Sequence, residues 1–240
     1  MTTLARIAVA IIMSLFASSC MFDVNFGSGK QGNGQVTEET RTVTEDFTEV
    51  YASEGLDVFV TQDDEFKIVV EADENVIDLI ETDINNGRLK IHTTENIGRA
   101  TKNVYVSLPR VTALESSSGA DLLGQNVISA ERLHIEASSG SDIEAEVSAE
   151  EINANCSSGA DIKLSGKTDS FYADASSGSD IRARGLEART CDANASSGAD
   201  IDVNVIESLI ADASSGADIS YSGDPSVQKS KSVSGSVRKQ

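Results

Sequence analysis

Apolar and polar residues alternate with period two before and after a short turn motif that occurs six times. Ahead of each turn stand Leu114, Ile135, Ala154, Ala173, Ala193 and Ala211, then, two positions on, Ser116, Ala137, Cys156, Ala175, Ala195 and Ala213. Between them lies a polar row of Glu115, Glu136, Asn155, Asp174, Asn194 and Asp212. The turn reads Ser117-Ser118-Gly119-Ala120-Asp121-Leu122 in its first copy, and Leu122, Ile143, Ile162, Ile181, Ile201 and Ile219 resume the apolar face. Residues two apart on a strand share a face, so this pattern predicts strands with a small-residue inner side and a polar outer side. The glycines at 119, 140, 159, 178, 198 and 216 are separated by 21, 19, 19, 20 and 18 residues. A unit this short cannot bury its apolar face alone and must stack on its neighbours. The expected fold is all-β, a right-handed single-stranded parallel β-helix with one coil per repeat. Seven rungs at a strand spacing of ~4.8 Å make a rod of ~34 Å. Left-handed hexapeptide helices and nonapeptide calcium rolls fit less well, because neither a threefold subdivision nor a nine-residue period is present.

Residues 41–108 show shorter alternating runs. Leu56, Val58 and Val60, then Ile68 to Val70, Leu89 with Ile91, and Val104, Val106 and Leu108 read as strands. Asn86-Gly87 signals a two-residue hairpin turn, since both residues tolerate positive φ. Val76, Leu79, Ile80 and Asp83 have helical spacing and predict a short helix. Ser53-Glu54-Gly55-Leu56-Asp57-Val58 reads as a degenerate earlier copy of the turn motif, and Ser232-Val233-Ser234-Gly235-Ser236-Val237 as a later one. Residues 41–240 are therefore expected to form a single domain with atypical capping ends, the N-terminal β part acting as one cap.

The N-terminus reads as a targeting segment. Arg6 precedes an apolar run from Ile7 to Phe16, too short to span a bilayer, and Ala17-Ser18-Ser19 lead into Cys20. Small residues directly before a cysteine resemble the lipobox of bacterial lipoproteins. That implies a signal peptide over residues 1–19, cleavage between Ser19 and Cys20, and lipid attachment at Cys20. Residues 20–40, with Gly27-Ser28-Gly29-Lys30-Gln31-Gly32-Asn33-Gly34, are expected to be a flexible tether because they carry little apolar surface to bury. By resemblance to lipoprotein sorting, Met21 rather than Asp after the cysteine permits outer-membrane delivery in a Gram-negative cell.

The chain has 19 Lys plus Arg against 39 Asp plus Glu, a net charge of −20, and no basic stripe. Phosphate-backbone binding needs clustered cations, so nucleic acid is excluded as a partner. Stacking should bring Asp121, Asp142, Asp161, Asp180, Asp200 and Asp218 into one column. Neighbouring carboxylates ~5 Å apart repel by ~0.8 kcal/mol in water and by ~3–4 kcal/mol at an effective dielectric of 20. Two readings answer that cost. Each Asp, with the serines beside it, caps turn N–H groups, or the column holds Ca²⁺ as its cofactor. His92 and His134 are the two histidines, in strand-like surroundings without a Ser-His-Asp order or metal-ligand motif, and no catalytic residue is assigned. Cys156 and Cys191 lie two rungs apart at different positions along the coil. Their expected separation of at least ~9 Å exceeds disulfide range, which makes them buried thiols.

Together these residues resemble the head-GIN domain family, described as auto-transporter adhesins, over about Asp46 to Val237. The markers are Phe47-Thr48-Glu49-Val50, Gly55-Leu56-Asp57-Val58-Phe59-Val60-Thr61-Gln62, Glu71-Ala72-Asp73-Glu74-Asn75, Gly87-Arg88-Leu89-Lys90-Ile91, the Ser-Ser-Gly ladder and Lys231-Ser232-Val233-Ser234-Gly235-Ser236. The resemblance implies a β-helix similar to pectin-lyase-like folds, no established catalytic set and a role in adhesion. The leading expectation is a non-enzymatic, lipid-anchored envelope protein contacting glycan, matrix or another envelope component. The alternatives are a polysaccharide-active enzyme, with its groove around His92, Arg99, Lys102 or His134, and a structural part of an envelope complex.

Overall fold

Strand pairing follows the repeat. The protein, represented by a computed structural model, is described over residues 29–229 and 234–240, so the expected signal peptide, Cys20 and the start of the tether lie outside the described residues. Nine short strands come first: β1 (Val36–Arg41), β2 (Glu49–Ala52), β3 (Asp57–Gln62), β4 (Lys67–Asp73), β5 (Ile80–Asn85), β6 (Arg88–Thr93), β7 (Lys102–Leu108), β8 (Ala113–Ser117) and β9 (Asp121–Gly124). Long strands follow as β10 (Ile128–Ser138), β11 (Asp142–Ser157), β12 (Asp161–Ser176), β13 (Asp180–Ala195) and β14 (Asp200–Ala213). The short β15 (Asp218–Ser222), β16 (Ser226–Lys229) and β17 (Ser236–Lys239) close the stack.

Each long strand covers most of one coil and bends once. In β11 the inward set Ile143, Ala145 and Val147 gives way at residues 148–151 to a second set, Ile152, Ala154 and Cys156. The coil is thus flattened, with two sheet faces meeting at this corner and at the Ser-Ser-Gly turn. One face runs β1-β4-β7-β3-β9-β11-β12-β13-β14-β15-β17. The other runs β5-β6-β2-β8-β10-β11-β12-β13-β14-β16. Pairing is parallel along the repeats, and antiparallel only where β1, β4 and β7, and β5 and β6, build the N-terminal cap.

The core is one column of buried side chains. Isoleucines of the first face (Ile143, Ile162, Ile181, Ile201, Ile219) share it with small residues of the second (Ala154, Ala173, Ala193, Ala211). Large beside small keeps the interior narrow, and each buried Ile is worth ~1.5–3 kcal/mol. At the turn corner of the first four Ser-Ser-Gly rungs the core also admits one hydrogen-bonding side chain per rung, in alternating places. Ser116 Oγ and Cys156 Sγ donate to the carbonyls of Ala120 and Ala160, at 2.7 and 3.1 Å. In the intervening rungs Ser141 and Ser179 donate to the carbonyls of Ser116 and Cys156, both at 2.8 Å. Cys156 and Cys191 are buried and free, and burial pushes their thiols up to about 11 and about 12.

Two expectations need correction. Residues 29–40 are not a loose tether: β1 pairs along its whole length with β4, and the glycine-rich segment before it is held by polar contacts. The buried Asp73 carboxylate accepts from the Gly34 and Thr101 amides at 2.6 and 2.8 Å, and the Asn75 side chain brackets the backbone of Gln31 and Asn33. Hydrogen bonding supplies what apolar burial lacks. The helix predicted over residues 76–83 is a single 3-10 turn, Ile77–Leu79. Beyond it the Asn86-Gly87 turn, with φ 54 and 78, folds Ile80–Asn85 back onto β6.

Candidate acidic ladder

The six Ser-Ser-Gly turns form one edge of the solenoid. In every copy the second serine and the glycine both have positive φ, from 53 to 59 and from 69 to 79. Two consecutive left-handed residues give a tight primed turn, and the glycine takes that conformation without a Cβ penalty. Most turn amides bond to backbone carbonyls, chiefly those of adjacent coils. The Gly119 N–H donates to the Ser139 carbonyl and Gly198 to Ser215, while Asp142 donates to Ala120 and Asp180 to Ala160. This replaces the expected capping by Asp. The side-chain caps seen at the turns come from inside the corner, where Ser141 and Ser179 Oγ accept from the amides of Ser138 and Ser176.

Register stacks Asp57, Asp121, Asp142, Asp161, Asp180, Asp200 and Asp218 in single file on one side of this edge. The degenerate copy at residues 53–58 is therefore a true rung, with Gly55 N–H donating to Ser118 O. At the far end Gly216 N–H donates to Ser234 O while Asp218 pairs with Ser236, so this last turn is one residue shorter. On the other side of the edge Glu115, Glu136, Asn155, Asp174, Asn194 and Asp212 stack in the same way. A shallow groove of about 400 Å³ lies there, lined by Asp174, Asn194, Ser196, Asp212 and Ser214. The result is a hydroxyl-rich edge flanked by two carboxylate and amide rows.

Crowding shows in the acidities. Burial first, then the neighbouring aspartates, raises the pKa of Asp121, Asp142 and Asp200 above the usual carboxylate value. Cations relieve part of the column. Arg182 bridges Asp161 and Asp180 at 3.2 and 2.6 Å, and Arg238 reaches Asp218 at 3.6 Å. A single file also offers an ion two neighbouring carboxylates per gap, whereas Ca²⁺ takes six to eight oxygens.

The four residues expected around an enzymatic groove are not brought together. His92 lies on β6 and His134 on β10, three strand steps apart across β2 and β8, or ~14 Å on that count alone. Lys102 lines a groove with Glu54, Gly55, Ser118 and Gly119 that includes neither histidine nor Arg99. His134 faces Glu136 at 3.4 Å, and the Arg99 amide donates to Gln31. Missed from the sequence were the partners of His92, whose Nε2 lies 2.9 Å from Asp83 Oδ2 and 3.6 Å from Glu81 Oε2.

The described residues form an all-β solenoid with one repeated acidic and hydroxyl-bearing edge. The family described as "Putative auto-transporter adhesin, head GIN domain" matches residues 46–225, 180 of the 240 residues, and the chain belongs to it. Solved structures of the same fold include a "putative adhesin" from Bacteroides fragilis, 18% identical with a TM-score of 0.79, covering 88% of this chain and 100% of that one. A "putative lipid binding protein" from Parabacteroides distasonis is 19% identical with a TM-score of 0.72, over 88% and 98% of the two chains. A "putative adhesin" from Parabacteroides merdae is 18% identical with a TM-score of 0.74, over 88% and 98%. A search of curated proteins finds no match to the chain. Among the described residues no helix is long and apolar enough to cross a membrane.

Proposed function

We propose that the protein is a non-enzymatic envelope adhesin, anchored through a lipid on Cys20, whose acidic ladder binds neutral glycan or a basic matrix or envelope protein. The observation that carries this reading is the register that repeats the same Ser and Asp side chains, with a Glu, Asn or Asp on the other flank, coil after coil. Each coil offers a ligand a weak set of hydrogen bonds, and an extended polymer engages several coils at once, so weak contacts add through multivalency. Carboxylates and amides suit sugar hydroxyls and cationic side chains. Polyanions are repelled by the same rows.

The test is an array of neutral glycans, acidic glycans and matrix proteins probed with the full chain in detergent. Binding should concentrate on neutral glycans or basic proteins and fall when Asp161 and Asp180 are both changed to Ala. No binding above that double variant, or a preference for acidic glycans, overturns the proposal. The anchor is tested separately, since labelled fatty acid should enter the native chain and not Cys20→Ser.

A further inference from the structure

The β5–β6 hairpin carries a ligand set that the repeat does not use. Its two-residue turn fixes a register in which Glu81 lies directly across from His92, with Asp83 two residues nearer the turn. Strand alternation turns Ile80, Leu89 and Ile91 into the core and leaves Glu81 and Asp83 outside beside the half-buried His92. One ligand atom from each of these three residues lies within 4.8 Å of the other two, a grouping of His, Cys, Asp or Glu found nowhere else among the described residues. The His92 Nε2 separations of 2.9 and 3.6 Å compare with ~3.3–3.6 Å between ligands on a tetrahedral ion with bonds of about 2.0–2.2 Å. Shifts of a few tenths of an ångström bring the His92 separations into range, and rotation of the exposed Glu81 and Asp83 side chains, whose ligand atoms lie within 4.8 Å of each other, closes the set.

We propose that Glu81, Asp83 and His92 bind a divalent transition metal of the Zn²⁺ class, leaving a fourth position for water or a partner's side chain. One imidazole and two carboxylates match zinc's nitrogen and oxygen preferences, whereas Ca²⁺ needs more oxygens and Cu(I) prefers sulfur. The two carboxylates cancel the ion's charge. Because β5 pairs with β6 alone among the described residues, the metal ties an outermost strand of the cap to the strand inside it. None of the three ligands belongs to a Ser-Ser-Gly turn or to the Asp column, so the proposal does not depend on what that edge binds.

The tag-free full chain in detergent is titrated with Zn²⁺ by calorimetry and with Co²⁺ by visible absorption. The expected result is one ion per chain, an intense four-coordinate Co²⁺ band, and Zn²⁺ bound at least tenfold more tightly than Ca²⁺. His92→Ala should weaken binding at least about tenfold, as ligand loss exceeds the outer-shell effects seen in metal sites. Asp83→Asn, a near-isosteric change at an exposed position, gives the same reading should His92→Ala fail to fold. Asp161→Asn with Asp180→Asn should leave binding unchanged. Absence of saturable binding, equal affinity for Ca²⁺, survival of binding in both hairpin variants, or its loss in the column variant overturns the proposal.

Discussion

Gly159→Ala isolates the conformational cost of a ladder turn. Gly159 has φ +71, and a Cβ added there meets nothing within 4 Å, so the substitution introduces no clash. An L-residue in the left-handed region costs ~1–2 kcal/mol, and removing glycine from the unfolded chain returns ~0.4–1 kcal/mol. The net loss is about 1 kcal/mol, which for a domain of this size lowers Tm by about 2–4 °C. All six ladder glycines share positive φ and open space, so each should behave alike. Gly119, Gly159 and Gly198 sit in alternate rungs, ~10 Å apart, and their triple Ala variant should lose about 3 kcal/mol by additivity. Gly166 supplies the contrast: its φ is +107 and a Cβ there overlaps the Val147 carbonyl of the adjacent coil. Its Ala variant should lose about 3 kcal/mol alone, since strain and overpacking combine. Urea unfolding of the parent chain, the two single variants and the triple variant measures this. Equal losses at Gly159 and Gly166, or none at Gly159, would refute the description of the turns as open left-handed corners.

The crowded column sets a pH dependence with a definite sign. The folded pKa of Asp142 and Asp200 is raised, so their stabilising share is fully present below the unfolded value of about 3.9 and is lost as pH rises through the folded value. Asp142→Asn should therefore raise Tm at pH 7 and give no gain at pH 3; a neutral-pH loss would contradict the assignment. Cys156 and Cys191, buried with thiols raised to about 11 and about 12, should react with a thiol reagent at pH 8 only after denaturation, and fast labelling of the native protein would show that the coils open locally. Saturating Ca²⁺ followed by chelator should leave Tm unchanged, because Arg182 occupies a gap in the column; a Ca²⁺-dependent rise would restore the cation-binding reading.

What the sequence made legible was whatever depends on neighbours along the chain or on the repeat. Period-two alternation around each glycine located the inner rows, the Asp column and even the degenerate rung at Gly55, because stacking converts equal offsets into equal positions. The second corner has no motif that recurs in every coil: residues 148–151 lack glycine and proline, and in the next coil a lone Gly166 stands opposite Val147. The order of residues 29–40 depends on Asp73 and Asn75, some forty positions away, which no local pattern reports. Asp favours local caps in isolated turns, yet here stacking supplies backbone partners to most turn amides, while Ser141 and Ser179 keep the local cap. The metal ligands were within reach. Asn85 paired with Arg88 across Asn86-Gly87 implies Glu81 opposite His92, and the helical spacing of Val76, Leu79, Ile80 and Asp83 concealed it.

Each repeat behaves as one interchangeable coil, and deletion of residues 161–179 is the decisive test. Asp161 pairs with Asp180, so the cut removes one full turn and lets β11 meet β13 in register. The prediction is a folded β protein that unfolds in one urea transition, with an m-value lower by about a tenth, in line with the surface removed. An unfolded product, or one whose strand signal drops far beyond one coil, would contradict it.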